Sequence, residues 1–221
     1  MRAIPEYKSN SNIMNIYSYI VRYDSGFAPN PYYGYCTLAT CKPIIRGHAQ
    51  VNDWVVGTGS ASKKIKQGGR LVYAMKVSEA LSFNEYFTDP RFENKKTIIN
   101  GSKKQARGDN IYFKEGGSWS QLNSFHSHDN GSPHTSHIAK DTKVDRVLVS
   151  NKFRYFGLNG PRLPPSFCSN NKSLCHKGIA QSKFSNSNSN DALMIDSFLE
   201  WFEEFEEIGL IGHPVDWSDE Q

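Results

Sequence analysis

The stretch NIYSYIVRYDSGFAPNPYYGYCTLATCKPIIR, Asn15 to Arg46, decides how the chain is read. Its first nine residues are β-branched, aromatic and alternating, the composition of a strand. A loop dense in glycine, proline and aromatic residues follows. Pro29 and Pro31 restrict the backbone while Gly26 and Gly34 permit sharp turns, so the loop can hold side chains in a fixed arrangement. Further strands are predicted at DWVVGTGS (53–60), RLVYAMKV (70–77), NIYFK (110–114), RVLVS (146–150) and KFRYFGL (152–158). Many short strands and few helices predict an α+β fold built on a closed or strongly curved antiparallel sheet.

Two helices are expected. SEALSFNEYFTD (78–89) offers Ser78 as an N-cap and is stopped by Pro90. Between Asp191 and Ile208 an amphipathic helix is predicted, with Leu193, Phe198, Trp201, Phe202 and Phe205 along one face, glutamates opposite and Gly209 ending it. Its aromatic stripe is read as packing, and the polar tract SKFSNSNSND (182–191) before it as a flexible surface loop. With 221 residues and no linker-like break, 15–221 is expected to form one domain, preceded by a disordered extension over 1–14.

Composition limits the function classes. No apolar run approaches the roughly 20 residues of a membrane span, and the N-terminus lacks the apolar core of an export signal, so a cytoplasmic protein is expected. Its four cysteines are then read as thiols rather than a disulfide framework, with Cys168 and Cys175 structural. The formal net charge is +4, unevenly spread. Ten of the 22 acidic residues lie between Ser189 and Gln221, where there is no Lys or Arg, leaving 26 basic residues against 12 acidic ones elsewhere. A body of that sign attracts polyanions, so nucleic acid is the expected partner.

The proline-rich loop carries the candidate chemistry. Cys36 and Cys41 are potential nucleophiles, and Lys42 and Arg46 are the basic neighbours that favour a thiolate. Being five residues apart, the two cysteines face opposite sides of a regular strand, so the spacing admits only one to a given pocket without selecting it. Asp24 is a candidate for orienting a base or relaying a proton. Phe27, Tyr35 and Trp54 can stack on an extruded base, Asn30 can hydrogen-bond its edge, and Arg46, Lys63, Lys64 and Lys66 can contact the nucleic-acid backbone. HSHDNGSPHTSH (126–137) gathers His126, His128, His134 and His137 with Asp129, but matches no metal-ligand spacing, and no metal is assigned. VNDWVVGTGSASKK (51–64) lacks the spacing of a phosphate-binding loop, and no cofactor is expected.

The run YIVRYDSGFAPNPYYGYCTLATCKPIIR (19–46), continued by AQVNDWVVGTGS (49–60), EYFTDPRF (85–92), GDNIYF (108–113) and VLVSNKFRYFG (147–157), resembles the nucleotide modification associated domain 2 family. These blocks are also similar in style to the PUA-like group that includes EVE and ASCH domains. The resemblance implies a PUA-like curved antiparallel β-barrel with peripheral helices, and a pocket for a modified base. It implies an enzyme acting on a modified purine in DNA, most concretely one that hydrates 7-cyano-7-deazaguanine to its amide with Asp24, Cys36, Cys41 or Lys42 in catalytic roles. The alternatives are a non-catalytic reader of modified bases and an accessory subunit among other DNA-modification proteins.

Overall fold

A computed structural model of the chain describes residues 13–63, 65–168, 173–175 and 181–220. The elements run β1 Asn15–Val21, β2 Cys36–Leu38, α1 Pro43–His48, β3 Trp54–Gly59, β4 Leu71–Lys76, β5 Glu79–Leu81 and α2 Phe83–Thr88. They continue with α3 Lys103–Ala106, β6 Tyr112–Glu115, β7 Ser118–Gln121, α4 Thr135–Asp141, β8 Val147–Ser150, β9 Lys152–Tyr155, β10 Gln181–Ser185, α5 Ser189–Glu203 and β11 Gly209–Leu210.

Alternation in the sequence sets the layers. Tyr17, Tyr19 and Val21 of β1 point into one core, with Val55, Tyr73, Met75, Phe153 and Tyr155, and Ile16 points into the other, with Trp54, Val56, Leu71 and Ala74. The strands assemble as a six-stranded sheet in the order β10-β1-β3-β4-β9-β11. β1 runs parallel to β3 and β9 parallel to β11, the remaining pairs being antiparallel. On one face, Ile195, Phe198 and Phe202 of α5 bury the second core. On the other sits a three-stranded sheet, β2-β8-β5, whose far side packs on α2 and the β6-β7 hairpin through Phe27, Phe83, Tyr86 and Phe92. Only Asn151 separates β8 from β9, so one chain segment passes from the small sheet into the large one.

The closed antiparallel barrel is therefore corrected to an open mixed sheet, since β10 and β11 stand at its two edges and do not pair. The tract expected to be a loop begins with β10, because Lys183 and Phe184 find partners in Tyr17 and Ile16 of β1. The first helix starts later than Ser78. Glu79–Leu81 pairs with β8, and Ser82 caps α2 through a reciprocal capping box with Glu85. α5 ends at Glu203 rather than running to residue 208, and Leu193 is 72% exposed. Arg154 donates from Nε to the carbonyl of Glu207 (2.8 Å) and from a terminal nitrogen to that of Phe205 (2.6 Å), drawing the chain out of the helix toward β11. Four glutamates between 203 and 207 oppose the helix dipole there, which removes any gain from extending it.

The reading of all four cysteines as thiols is corrected as well: Cys168 and Cys175 form a disulfide, and Cys36 and Cys41 are free. Residues 1–12 of the expected extension, Lys64 and His176 lie outside the described residues, whereas Met14 donates its backbone N–H to Asn186 Oδ1. Among the described residues no helix is long and apolar enough to cross a membrane.

Candidate functional site

The loop between β1 and α1 is fixed from beneath by a buried amine. Lys95 is fully buried, and its Nζ donates to Asn30 O (3.1 Å), Asn30 Oδ1 (2.6 Å), Tyr35 O (3.0 Å) and Thr37 Oγ1 (3.1 Å). Thr37 in turn donates to the buried carboxylate of Asp109 at 2.7 Å. Burial lowers the Lys95 amine to about 8 despite the opposing charge of Asp109. The turn ends with Cys41 (φ 57°) and Lys42 (φ 42°) in the left-handed region, a strained conformation for side-chain-bearing residues, and Pro43 then opens α1.

Arg46, on α1, holds this turn from behind. It is fully buried, and its guanidinium donates to the carbonyls of Cys41 (2.8 Å), Val144 (3.1 Å), Arg146 and Asp141. Its charge faces protein rather than a nucleic-acid backbone. Cys41 stays partly exposed, with its Sγ 3.9 Å from His126 Nε2. The other ring nitrogen, Nδ1, lies 2.9 Å from Asp141 Oδ2 at the end of α4. Asp141 also accepts the Cys41 backbone N–H on Oδ1 (2.8 Å) and the Tyr112 hydroxyl on Oδ2 (3.0 Å). One buried carboxylate thus positions both the cysteine and the imidazole.

The electrostatics follow from that contact. Burial alone would lower the His126 pKa, but hydrogen bonds and charge from Asp141 and Cys41 outweigh it and raise the ring to about 9. Burial would raise Asp141, but His126, the Cys41 N–H and Tyr112 hold it below the usual carboxylate range. A sulphur, an imidazole and a carboxylate in this order form the arrangement by which a base takes a thiol proton while a third group fixes the base's tautomer.

The cysteine and the imidazole open into a cavity of about 560 Å³. Its walls include Tyr19, Phe27 and Phe125, with Tyr23 and Ile44 toward solvent. Phe27 packs on the His126 ring at 4.7 Å and on Phe125 at 5.6 Å. Arg22, Lys42, Lys140 and Gln181 supply the polar lining. A second cavity of similar volume, by Tyr33, Arg154, Glu203 and Leu210, has no cysteine or histidine on its wall.

Of the residues singled out in the sequence, Cys41, Lys42 and Phe27 meet at the first cavity. Cys36 is fully buried in the sheet core, where burial pushes its thiol up. Asp24 is buried, accepts the Tyr155 hydroxyl and the Val215 N–H (3.1 Å), and is raised by burial to about 6. Asn30 anchors Lys95, Tyr35 packs edge-on against Phe92, and Trp54 packs edge-on against Phe202 beneath α5. Lys63 and Lys66 are exposed outside the cavity.

Asp141 is the participant that sequence reading passes over, and His126 enters it only within the histidine-rich run to which no metal is assigned. His126 lies in the histidine-rich run, whose other rings stack on one another, His128 on His134 at 4.2 Å and His134 on His137 at 4.1 Å. Among the described residues no group of three or more His, Cys, Asp or Glu could hold a metal. The available signal was a cysteine with a histidine and an aspartate later in the chain, a pattern without fixed spacing.

The family model for nucleotide modification associated domain 2 matches residues 13–221. No curated protein and no solved structure gives a significant match.

Proposed function

The chain belongs to the nucleotide modification associated domain 2 family, and from that premise we propose that it is an enzyme in which Cys41 attacks an electrophilic carbon on a modified base. Family membership supports a part in nucleotide or DNA modification. The observation that carries the chemistry is the Cys41–His126–Asp141 arrangement facing an aromatic-walled cavity. Asp24 and Cys36 support no catalytic role, because both are buried within the core, away from the lining of the Cys41 cavity.

The most concrete substrate is the nitrile of 7-cyano-7-deazaguanine in DNA. The reacting form is a thiolate–imidazolium pair in which the Cys41 proton already rests on His126 Nε2; the sulphur adds to the nitrile carbon and the imidazolium gives that proton to nitrogen, giving a thioimidate. His126 then takes a proton from water as the water oxygen adds to the same carbon, and passes that proton to nitrogen. The hydroxyl proton moves through His126 to sulphur as the C–S bond breaks, leaving the amide and the free thiol. The net change is one water added.

Incubation with an oligonucleotide carrying the cyano base is expected to give a mass gain of one water, abolished in Cys41→Ala and His126→Ala. Full conversion by a folded Cys41→Ala protein overturns cysteine catalysis. Binding of the base without any mass change would assign the cavity to a non-catalytic reader.

A further inference from the structure

We infer that Arg22, Lys42 and Lys140 form a phosphate-binding subsite on the rim of the Cys41 cavity, which takes the phosphate of a nucleotide or nucleic-acid strand while the base enters the cavity against the wall that Phe27 and Phe125 form together. The assignment deepens the proposed function and rests on the same cavity.

Three elements bring these cations together: Arg22 follows β1, Lys42 precedes α1, and Lys140 comes from α4 directly before Asp141. Among the described residues, no Asp or Glu lines this cavity, and none of the three has a carboxylate partner. Some basic side chains elsewhere are matched, as Arg91 is by Glu79 and Asp89, Lys114 by Asp145, and Lys152 and Arg154 by Glu203, whereas in this cavity three unmatched cations share one rim. Lys42 is half-buried, with its ammonium 4.4 Å from the Tyr19 ring centroid. Its pKa is lowered by burial and by the neighbouring charges of Lys140 and Arg22, with Cys41 opposing.

Like charges gathered beside partly desolvated aromatic walls repel one another, and a multivalent anion relieves that repulsion. The depth of the walls sets the order of the ligand. Phe27 is 2% exposed while Phe125 and Tyr23 are 47% and 64% exposed, so an uncharged ring fits inward and a charged group outward. A phosphate joined to a purine has that polarity.

The test measures equilibrium binding of deoxyguanosine, dGMP and a 12-nucleotide single strand to the full chain across a salt series, using Arg22→Gln, Lys140→Gln and, outside the cavity, Lys63→Gln. These residues are exposed, and thermal melts confirm folding. Arg22→Gln and Lys140→Gln are each expected to weaken the phosphate-bearing probes roughly five- to tenfold and to reduce the strand's salt slope by about 0.7, leaving deoxyguanosine unaffected. Preference for dGMP points to a phosphomonoester and preference for the strand to a phosphodiester. Equal losses from Lys63→Gln, or no loss from the two cavity variants, overturn the subsite. The chemical proposal fails separately: anion binding through Arg22 and Lys140 without hydration of the cyano base retains the subsite and removes the reaction.

Discussion

Asp141→Asn is the substitution that bears most directly on the site. The carboxylate is 1% exposed in its side chain, faces His126 Nδ1 at 2.9 Å and accepts the Cys41 N–H at 2.8 Å. An amide of the same shape preserves the oxygen facing Cys41 but removes the charge and turns an N–H toward Nδ1. That favours the ring tautomer with its proton on Nε2, which cannot accept from sulphur. The difference between an ordinary histidine at 6.5 and His126 at about 9 corresponds to about 3 kcal/mol favouring the imidazolium. Without the aspartate, burial still lowers the ring and only the Cys41 contact raises it, so the midpoint should fall from about 9 toward the ordinary histidine range and the charged fraction at pH 7.5 should drop. Titration of the imidazole Cε1–H resonance by NMR, assigned with His126→Gln, reads this directly. Hydration at neutral pH should drop by roughly 10²- to 10⁴-fold. A midpoint in Asp141→Asn that stays near the native value refutes the assignment of Asp141 as the group that charges and orients the base.

Iodoacetamide should label the folded protein at Cys41 and spare Cys36 until denaturant is added, because only Cys41 reaches the cavity; mass spectrometry of digests checks this. Lys95→Met should cost about 3 kcal/mol in urea unfolding, since it removes the amine's buried hydrogen bonds to Asn30, Tyr35 and Thr37 and the positive charge that faces the buried Asp109 carboxylate. The raised His126 pKa gives stability that is fully present below about pH 6.5 and lost as pH rises through about 9. The stability of the native protein relative to His126→Gln should therefore decline over that interval, as followed by denaturant midpoints at fixed salt.

The central strands were legible because β1, β3, β4, β8 and β9 carry their instruction locally, in β-branched and aromatic residues that suit a pleated, buried surface. Pairing was not. The parallel β1-β3 contact depends on the path through β2 and α1, and no residue pattern within either strand states it. The same limit affected side chains. Arg46 reads as a surface cation, yet the carbonyls of Asp141, Val144 and Arg146, some 95 to 100 residues away, make its burial tolerable. Trp54 was legible as a strand residue, but the core it packs into is completed by Phe198 and Phe202 of α5, far along the chain. Cys41 belonged to a recognisable loop, whereas His126 and Asp141 joined it across 85 and 100 residues through tertiary contacts alone.

Referencing a nucleophile and its base to one carboxylate changes how thermal motion affects their separation. A displacement of the end of α4 would act on the Cys41 backbone and the His126 ring through the same carboxylate, and so would disturb the gap between them less than either position. Alignment would then be preserved by shared displacement, and a site assembled from two loops and a helix end need not be stiff to stay in register.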